Sequence, residues 1–197
     1  MAVEGGLDAQ RTAVLSMDLH AGIVAIYTQG DEGFLARAAE VLRAARERGF
    51  TVMHVKVGFR PGFPEVSPNN KAFHALRSDP QRQKLFSGPG AEIHPAVAPV
   101  GDEVVITKHR VSAFAGTDLE MILRSRSIDT LVLFGIATSG VVLSTLVEAF
   151  DKDFRVVVIG DCCADTEPDL HRALLDKLFA KRGTVMDSEQ WAVISPQ

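Results

Sequence analysis

An aspartate that closes a wholly apolar strand is a natural proton-transfer group, and this chain places Asp18 directly after the run TAVLSM, Thr12 to Met17. Burial raises the pKa of such a carboxyl, and a neighbouring ammonium lowers it again. Lys108 closes a second strand-like run, Glu103 to Thr107. A third feature is the stretch FGIATSGVVLSTLVEAF, Phe134 to Phe150, which combines an apolar strand end, a tight turn at Gly135 and a helix start that Thr138 or Ser139 can cap. The first turn of a helix leaves backbone N–H groups free, which suits an anion or an oxyanion, so Thr138, Ser139 and Gly140 are candidate ligand contacts. The hydroxyls of Ser139 and Ser144 have no adjacent histidine base and read as a cap and a helix residue rather than nucleophiles. Cys162 and Cys163, the only cysteines, follow a different strand; an adjacent pair suits neither an ordinary disulfide nor a metal cluster, and they read as core thiols in a reducing compartment. His20, two residues past Asp18, is the histidine kept as a pocket candidate. His54, His74, His94, His109 and His171 are scattered, so neither a metal nor a cofactor is expected.

The elements that must position these groups follow from apolar periodicity. Thr12–Met17 and Thr51–Val57 read as buried parallel strands. Between them, Phe34, Leu35, Ala38, Val41, Leu42 and Ala45 recur at helical spacing from about Asp31 to Arg48, and Gly49 ends that helix. From Gly58 to Gly90 frequent Pro and Gly predict a long loop with one short helix, Asn70 to Arg77. Phe59, Phe63, Phe73 and Phe86 from this loop either wall a pocket or anchor it to the core. Thr117-Asp118-Leu119-Glu120 has the pattern of a capping box, and Thr166 is read as the cap of a helix over Glu167 to Ala180. Strands are predicted at Leu131 to Phe134, Arg155 to Ile159 and Thr184 to Met186, with a helix from Ser139 to Lys152 and a closing turn at Ser188 to Trp191. Strands alternating with helices make an α/β domain, single over residues 1–197, whose sheet is mostly parallel with five or six strands. In such sheets ligands lie beyond the carboxyl ends of the strands, the edge to which Asp18, Lys108, Thr138 and Asp161 are assigned.

The segments ITKHRVSAFAGTDLE (Ile106 to Glu120) and GIATSGVV (Gly135 to Val142), with Asp18 ahead of them, resemble the isochorismatase-like (cysteine hydrolase) family over nearly the whole chain. The resemblance implies a Rossmann-like three-layer α/β/α fold and a site built from an Asp, a Lys and a Cys, matched here by Asp18, Lys108 and position 141, which is Val141. It implies that Lys108 holds the ionised form of Asp18 and meets negative charge on a substrate. It also implies a substrate pocket, for which Phe59, Arg60, Phe114 and His20 are further candidates, with Arg60 and Arg110 meeting a substrate anion. With Val141 in place of that Cys, Asp18 is left as the proton-transfer group of a hydrolase; the alternative is a non-catalytic small-molecule-binding or assembly protein that retains the fold and pocket. Net charge is -4, from 21 basic and 25 acidic residues spread along the chain, which argues against nucleic-acid and anionic-membrane partners and for a small-molecule substrate. No apolar run reaches the roughly 20 residues of a membrane span and no signal pattern opens the chain, so a cytoplasmic protein is expected. A homodimer or higher homo-oligomer is expected from the resemblance and from the apolar stretch Val141 to Phe150.

Overall fold

A computed structural model describes residues 6–28 and 31–195. Six strands, β1 (Thr12–Met17), β2 (Thr51–Val57), β3 (Val104–Lys108), β4 (Thr130–Ile136), β5 (Arg155–Ala164) and β6 (Thr184–Met186), form one sheet in the order β3-β2-β1-β4-β5-β6. Every pairing is parallel. The central strands β1 and β4 are buried along their whole length, as continuous apolar runs flanked by strands on both sides require.

The strand order reverses direction at β1. Right-handed crossovers therefore send the connection after β1 and the one after β4 to opposite faces of the sheet and leave a crevice between their carboxyl ends. The chain fills the first connection with α1 (Ala21–Tyr27) and α2 (Phe34–Glu47) and the second with α6 (Leu143–Asp151). The long connection from β2 to β3 carries α3 (Lys71–Ser78) and α4 (Pro80–Gln83); α5 (Leu119–Ser125), α7 (Pro168–Ala173) and α8 (Ser188–Ala192) complete the set. Gly49 ends α2 at φ 74, the left-handed conformation that Gly adopts without penalty. Gly135 is more demanding: a Cβ there would lie 2.0 Å from the Met17 carbonyl oxygen, so only Gly lets β4 pass β1 beside Asp18.

Helix starts depart from the sequence reading. Asp118 precedes α5 without a side-chain cap of its own; the Thr117 hydroxyl accepts from Leu119 N at 3.3 Å and donates to Ala113 O at 2.6 Å, while Glu120 pairs with Lys152 instead of closing a capping box. Neither Thr138 nor Ser139 caps the helix after β4. Residue 137 leads into a wide turn, Thr138–Val142, interrupted by Gly140 at φ -101, ψ -106, and regular helix begins only at Leu143. Glu167, not Thr166, precedes α7, which gives way to a wider turn at Leu174. Strand β5 runs beyond Ile159 because it bulges: its partner on β4 moves from Leu133 to Gly135 while β5 advances from Val158 to Cys163. Asp161 lies in that bulge and is turned to the start of α8, where it accepts from Ser188 N at 2.8 Å and Ser188 Oγ at 2.6 Å. It does not line the cavity described below. Within Val141 to Phe150, Val141, Val142, Leu146 and Ala149 are buried in the chain's own core, leaving Phe150 as the large exposed side chain.

Candidate active site

Asp18 follows β1 in a left-handed conformation, φ 54, with its N–H donating to Val55 O at 2.8 Å. A non-glycine residue in this region is uncommon, although Asp tolerates it better than most. Lys108, last residue of β3, reaches across β2 to place Nζ 2.8 Å from Asp18 Oδ2. The ammonium also donates to Arg110 O at 3.1 Å. Both side chains are nearly closed to solvent, at 3% for Lys108 and 8% for Asp18. Burial raises the pKa of Asp18 and the ammonium only partly offsets it, so the carboxyl keeps its proton to higher pH than a free one. Among the described residues, Asp18 Oδ1 is buried with no hydrogen-bond partner.

His20 completes this buried corner but does not line the cavity. Its Nε2 accepts from Val57 N at 3.2 Å, which assigns the ring proton to Nδ1, and lies 3.8 Å from Asp18 Oδ1. Burial, aided by Lys108 and Lys56, lowers its pKa to about 4, so the ring is neutral at physiological pH.

Above the pair opens a cavity of about 540 Å³. Val57, Ile136, Ala137, Gly140 and Val141 surround its base. Val141 is 2% exposed and puts an apolar side chain at the cavity base. The walls come from α1, through Ile23 and Tyr27, and from the long β2–β3 connection, through Phe73, Leu76, Arg82 and Phe86.

Other expected contacts lie elsewhere. The Thr138 hydroxyl is 2.8 Å from His171 Nδ1, and the Ser139 N–H donates to Asp165 Oδ2 at 2.7 Å, so neither faces the cavity and that amide is already engaged. Phe59 stacks among Phe63, Phe73 and Phe86 and, with Arg60, borders a neighbouring cavity of about 520 Å³. Arg60 pairs with Glu65 at 3.2 Å, and Arg110 donates to His109 O and Glu65 O. Phe114 packs against Phe154, ring centroids 5.9 Å apart, because the Ser112 to Thr117 turn folds toward α6. Of the Phe residues in the long loop, Phe73 and Phe86 line the main cavity. The Cys162 and Cys163 thiols are buried, and burial raises the pKa of both. Among the described residues, no three His, Cys, Asp or Glu side chains converge on a point that could hold a metal ion, and no helix is long and apolar enough to cross a membrane.

Residues 12–190 match the Isochorismatase domain family. The chain belongs to the isochorismatase family. It is 31% identical over 182 residues to the maleamate amidohydrolase of Pseudomonas putida, covering 90% of this chain and 83% of that protein. Among solved structures, an isochorismatase family protein from Burkholderia thailandensis superposes with a TM-score of 0.79 at 30% identity, over 94% of this chain and 95% of that one. The N-carbamoylsarcosine amidase of Thermoplasma acidophilum superposes with a TM-score of 0.74 at 25% identity, over 91% and 97%. These isochorismatase-family matches run through both halves of the sheet, so the switch-point crevice belongs to the shared α/β architecture.

The Tyr27 and Arg82 contributions escaped the sequence reading. Tyr27 sits on α1, whose sequence AGIVAIY has no polar positions to reveal a period. Arg82 had an available signal, since Asp79-Pro80 is an N-cap followed by Pro at the first helical position, and the Asp79 side chain accepts from Gln81 N.

Proposed function

We propose that this isochorismatase-family protein is a hydrolase of small molecules in which Asp18 transfers protons and Lys108 steadies negative charge. The observation that carries the reading is the 2.8 Å Asp18–Lys108 pair, buried at the base of an open cavity at the sheet's switch point. The relatives named for maleamate and N-carbamoylsarcosine direct attention to amide and carbamoyl bonds. In such a reaction Asp18 in its ionised form takes a proton from water while the water oxygen attacks the carbonyl carbon. Negative charge on the carbonyl oxygen is met by the Lys108 ammonium. Asp18, now the acid, passes the proton to the leaving nitrogen as the C–N bond breaks, a step that its raised proton affinity favours.

Val141 is the observation behind a second reading, a binding or assembly protein that keeps the pocket without turnover, since an apolar side chain occupies the position that the family resemblance assigns to the nucleophile. A screen of amides, carbamoyl compounds and vinyl ethers separates the two. The first reading expects turnover that falls about 100- to 10,000-fold in Asp18→Asn. Binding without turnover in the wild-type chain selects the second, and turnover equal in both proteins removes Asp18 from the mechanism. Our reading includes a cytoplasmic homodimer or larger homo-oligomer without nucleic-acid or membrane partners; a monomer in light scattering at micromolar concentration would overturn the assembly part.

A further inference from the structure

Strand β2 ends on an amide whose ladder partner is missing. Bonds along a parallel ladder are evenly spaced, so the one from Asp18 N to Val55 O at 2.8 Å would be followed by one from Val57 N to the main-chain oxygen of Asp18. Asp18 turns out of the strand at φ 54, and that second bond is not made. Val57 N is left between two side chains. Its hydrogen bond goes to His20 Nε2 at 3.2 Å, while Asp18 Oδ1 lies 3.8 Å from the same ring nitrogen. The Asp18 carboxyl feels this amide only as the smallest influence on its pKa, behind burial, which raises it, and the charge and hydrogen bond of Lys108, which lower it.

The ring has a fixed place. Main-chain bonds from Ala21 N to Glu92 O at 3.0 Å and from His94 N to Leu19 O at 2.8 Å pin the residues on either side of His20, and the Phe86 ring meets it at 69°. The side chain is wholly buried, and among the described residues its Nδ1 has no hydrogen-bond partner. A buried donor without a partner costs stability, so packing alone does not account for a histidine here. What the ring supplies is an uncharged acceptor: burial, with the Lys108 and Lys56 ammonium groups beside it, holds its pKa at about 4. Those two are the charges that act on it. On α1 the titratable group is Tyr27, at the cavity wall; on the facing segment, Glu92 lines the neighbouring cavity and His94 accepts from Ala96 N.

We propose that His20 is a positioning residue for proton transfer: its ring takes the Val57 N–H away from Asp18 and keeps that carboxyl one donor short. The role in catalysis rests on the hydrolase reading, whereas the withheld bond does not. A hydrogen bond to the ionised form of a carboxyl favours that form, so an Asp18 that gained the amide would release its proton at lower pH and be a weaker base toward water. His20 acts through Asp18 and touches no ligand, since it does not line the cavity.

The test is NMR of carboxyl carbons, ring nitrogens and amide protons on the isotopically labelled full chain. In the wild type, His20 Nε2 should be the bare nitrogen of a neutral ring from neutral pH down to about pH 5. In His20→Leu the Asp18 carboxyl, identified by its loss in Asp18→Asn, should titrate about one pH unit lower than in the wild type. The Val57 amide proton, protected from exchange in both proteins, should shift in step with that titration in the variant. A proton on Nε2 in the wild type overturns the assignment, whether or not the variant folds. An Asp18 titration that stays in place or rises does so too, as does a lowered one accompanied by a Val57 amide that exchanges with solvent, the mark of water entering the corner. None of these readouts needs turnover. A lowered Asp18 titration with a protected Val57 amide, in a chain that hydrolyses nothing, upholds the place of His20 while the hydrolase reading fails; turnover whose pH profile is unmoved by His20→Leu does the reverse.

Discussion

Asp18 and Asp161 stand near the carboxyl ends of neighbouring halves of one parallel sheet, and their surroundings differ in kind. Asp161 satisfies both carboxylate oxygens with short-range donors, Ser188 N and Ser188 Oγ, and faces Arg37 Nε at 3.4 Å. Its job is to hold the start of α8. Asp18 has a cation on one oxygen, no hydrogen-bond donor on the other among the described residues, and an open cavity above it. Glu103, at the opposite end of the sheet beside β3, extends the contrast: burial works against its charge, but hydrogen bonds from Arg46, Val100 N and His54 outweigh it and lower its pKa to about 2. Donors around a carboxylate make it a strut. A carboxyl with an incomplete set of donors and room for a ligand keeps its chemistry available.

The largest effect expected from this difference is on stability. Asp18→Ala leaves the Lys108 ammonium buried without its counter-charge, and should cost about 3–5 kcal/mol in denaturant unfolding. Asp18→Asn restores an oxygen acceptor and should cost less. If both variants unfold like the wild type, the pair is not the buried contact described here and the contrast with Asp161 collapses.

Glu103 sharpens the comparison through pH. Its folded pKa of about 2 lies below the ordinary glutamate value of about 4.3, so its stabilisation is present above roughly pH 4.3 and is lost as pH falls toward 2. That difference corresponds to about 2–3 kcal/mol. Asp18 has the opposite sign: its raised folded pKa favours the fold at low pH and opposes it once the carboxyl ionises. Denaturant midpoints measured from pH 6 to pH 2.5 should fall less steeply for Glu103→Gln than for the wild type. Parallel curves would mean that Glu103 does not carry the acid limb.

The same distinction explains what could be read from the chain before folding. The central strands were legible because a strand flanked on both sides is buried along its length and reads as a mostly apolar run; Thr12–Met17 and Thr51–Val57 have the bounds read from sequence, as does the short edge strand Thr184–Met186. A mostly parallel sheet followed from their alternation with helices, and the family from the segments around Lys108 and Gly135. Hydroxyl caps were legible only in part. Thr117 accepts from Leu119 N but donates to Ala113 O, and Thr138 bonds to His171, partners that sequence spacing does not announce. Asp161 was assigned to the ligand edge because a strand-ending acid looks alike in sequence whether its lone pairs face Ser188 or a cavity. Tyr27 and Arg82 reach the cavity through segments positioned by tertiary contact, and Phe114 leaves it for the same reason.

Substitution at position 141 tests the site's chemistry without a known substrate. Val141 lines the cavity base with Asp18 and Lys108, so the thiol of Val141→Cys would meet an ammonium and the N–H groups of the turn, both of which favour thiolate. It should react with iodoacetamide near pH 7 at least about tenfold faster than Cys162 or Cys163, since burial raises the pKa of both native thiols, that of Cys163 to about 12. Peptide mapping after brief labelling identifies the modified residue. A folded variant whose new thiol labels no faster than the native pair would show that the cavity base is closed or the charges misplaced.

The smallest expected change is the control that gives the others meaning. Asp161→Asn keeps an oxygen to accept from Ser188 N and replaces the other with an amide, toward which the Ser188 hydroxyl can rotate as an acceptor. What is lost is the charge facing Arg37, a partly exposed pair, so the cost should be about 1 kcal/mol or less. Placed in the Val141→Cys background, Asp161→Asn should leave the labelling rate within about twofold, whereas Asp18→Asn should change it by about tenfold or more by removing the base nearest the thiol. If the two substitutions alter the rate alike, reactivity at position 141 reports the general state of the fold rather than its carboxyl neighbour, and the division between strut and reactive acid does not hold.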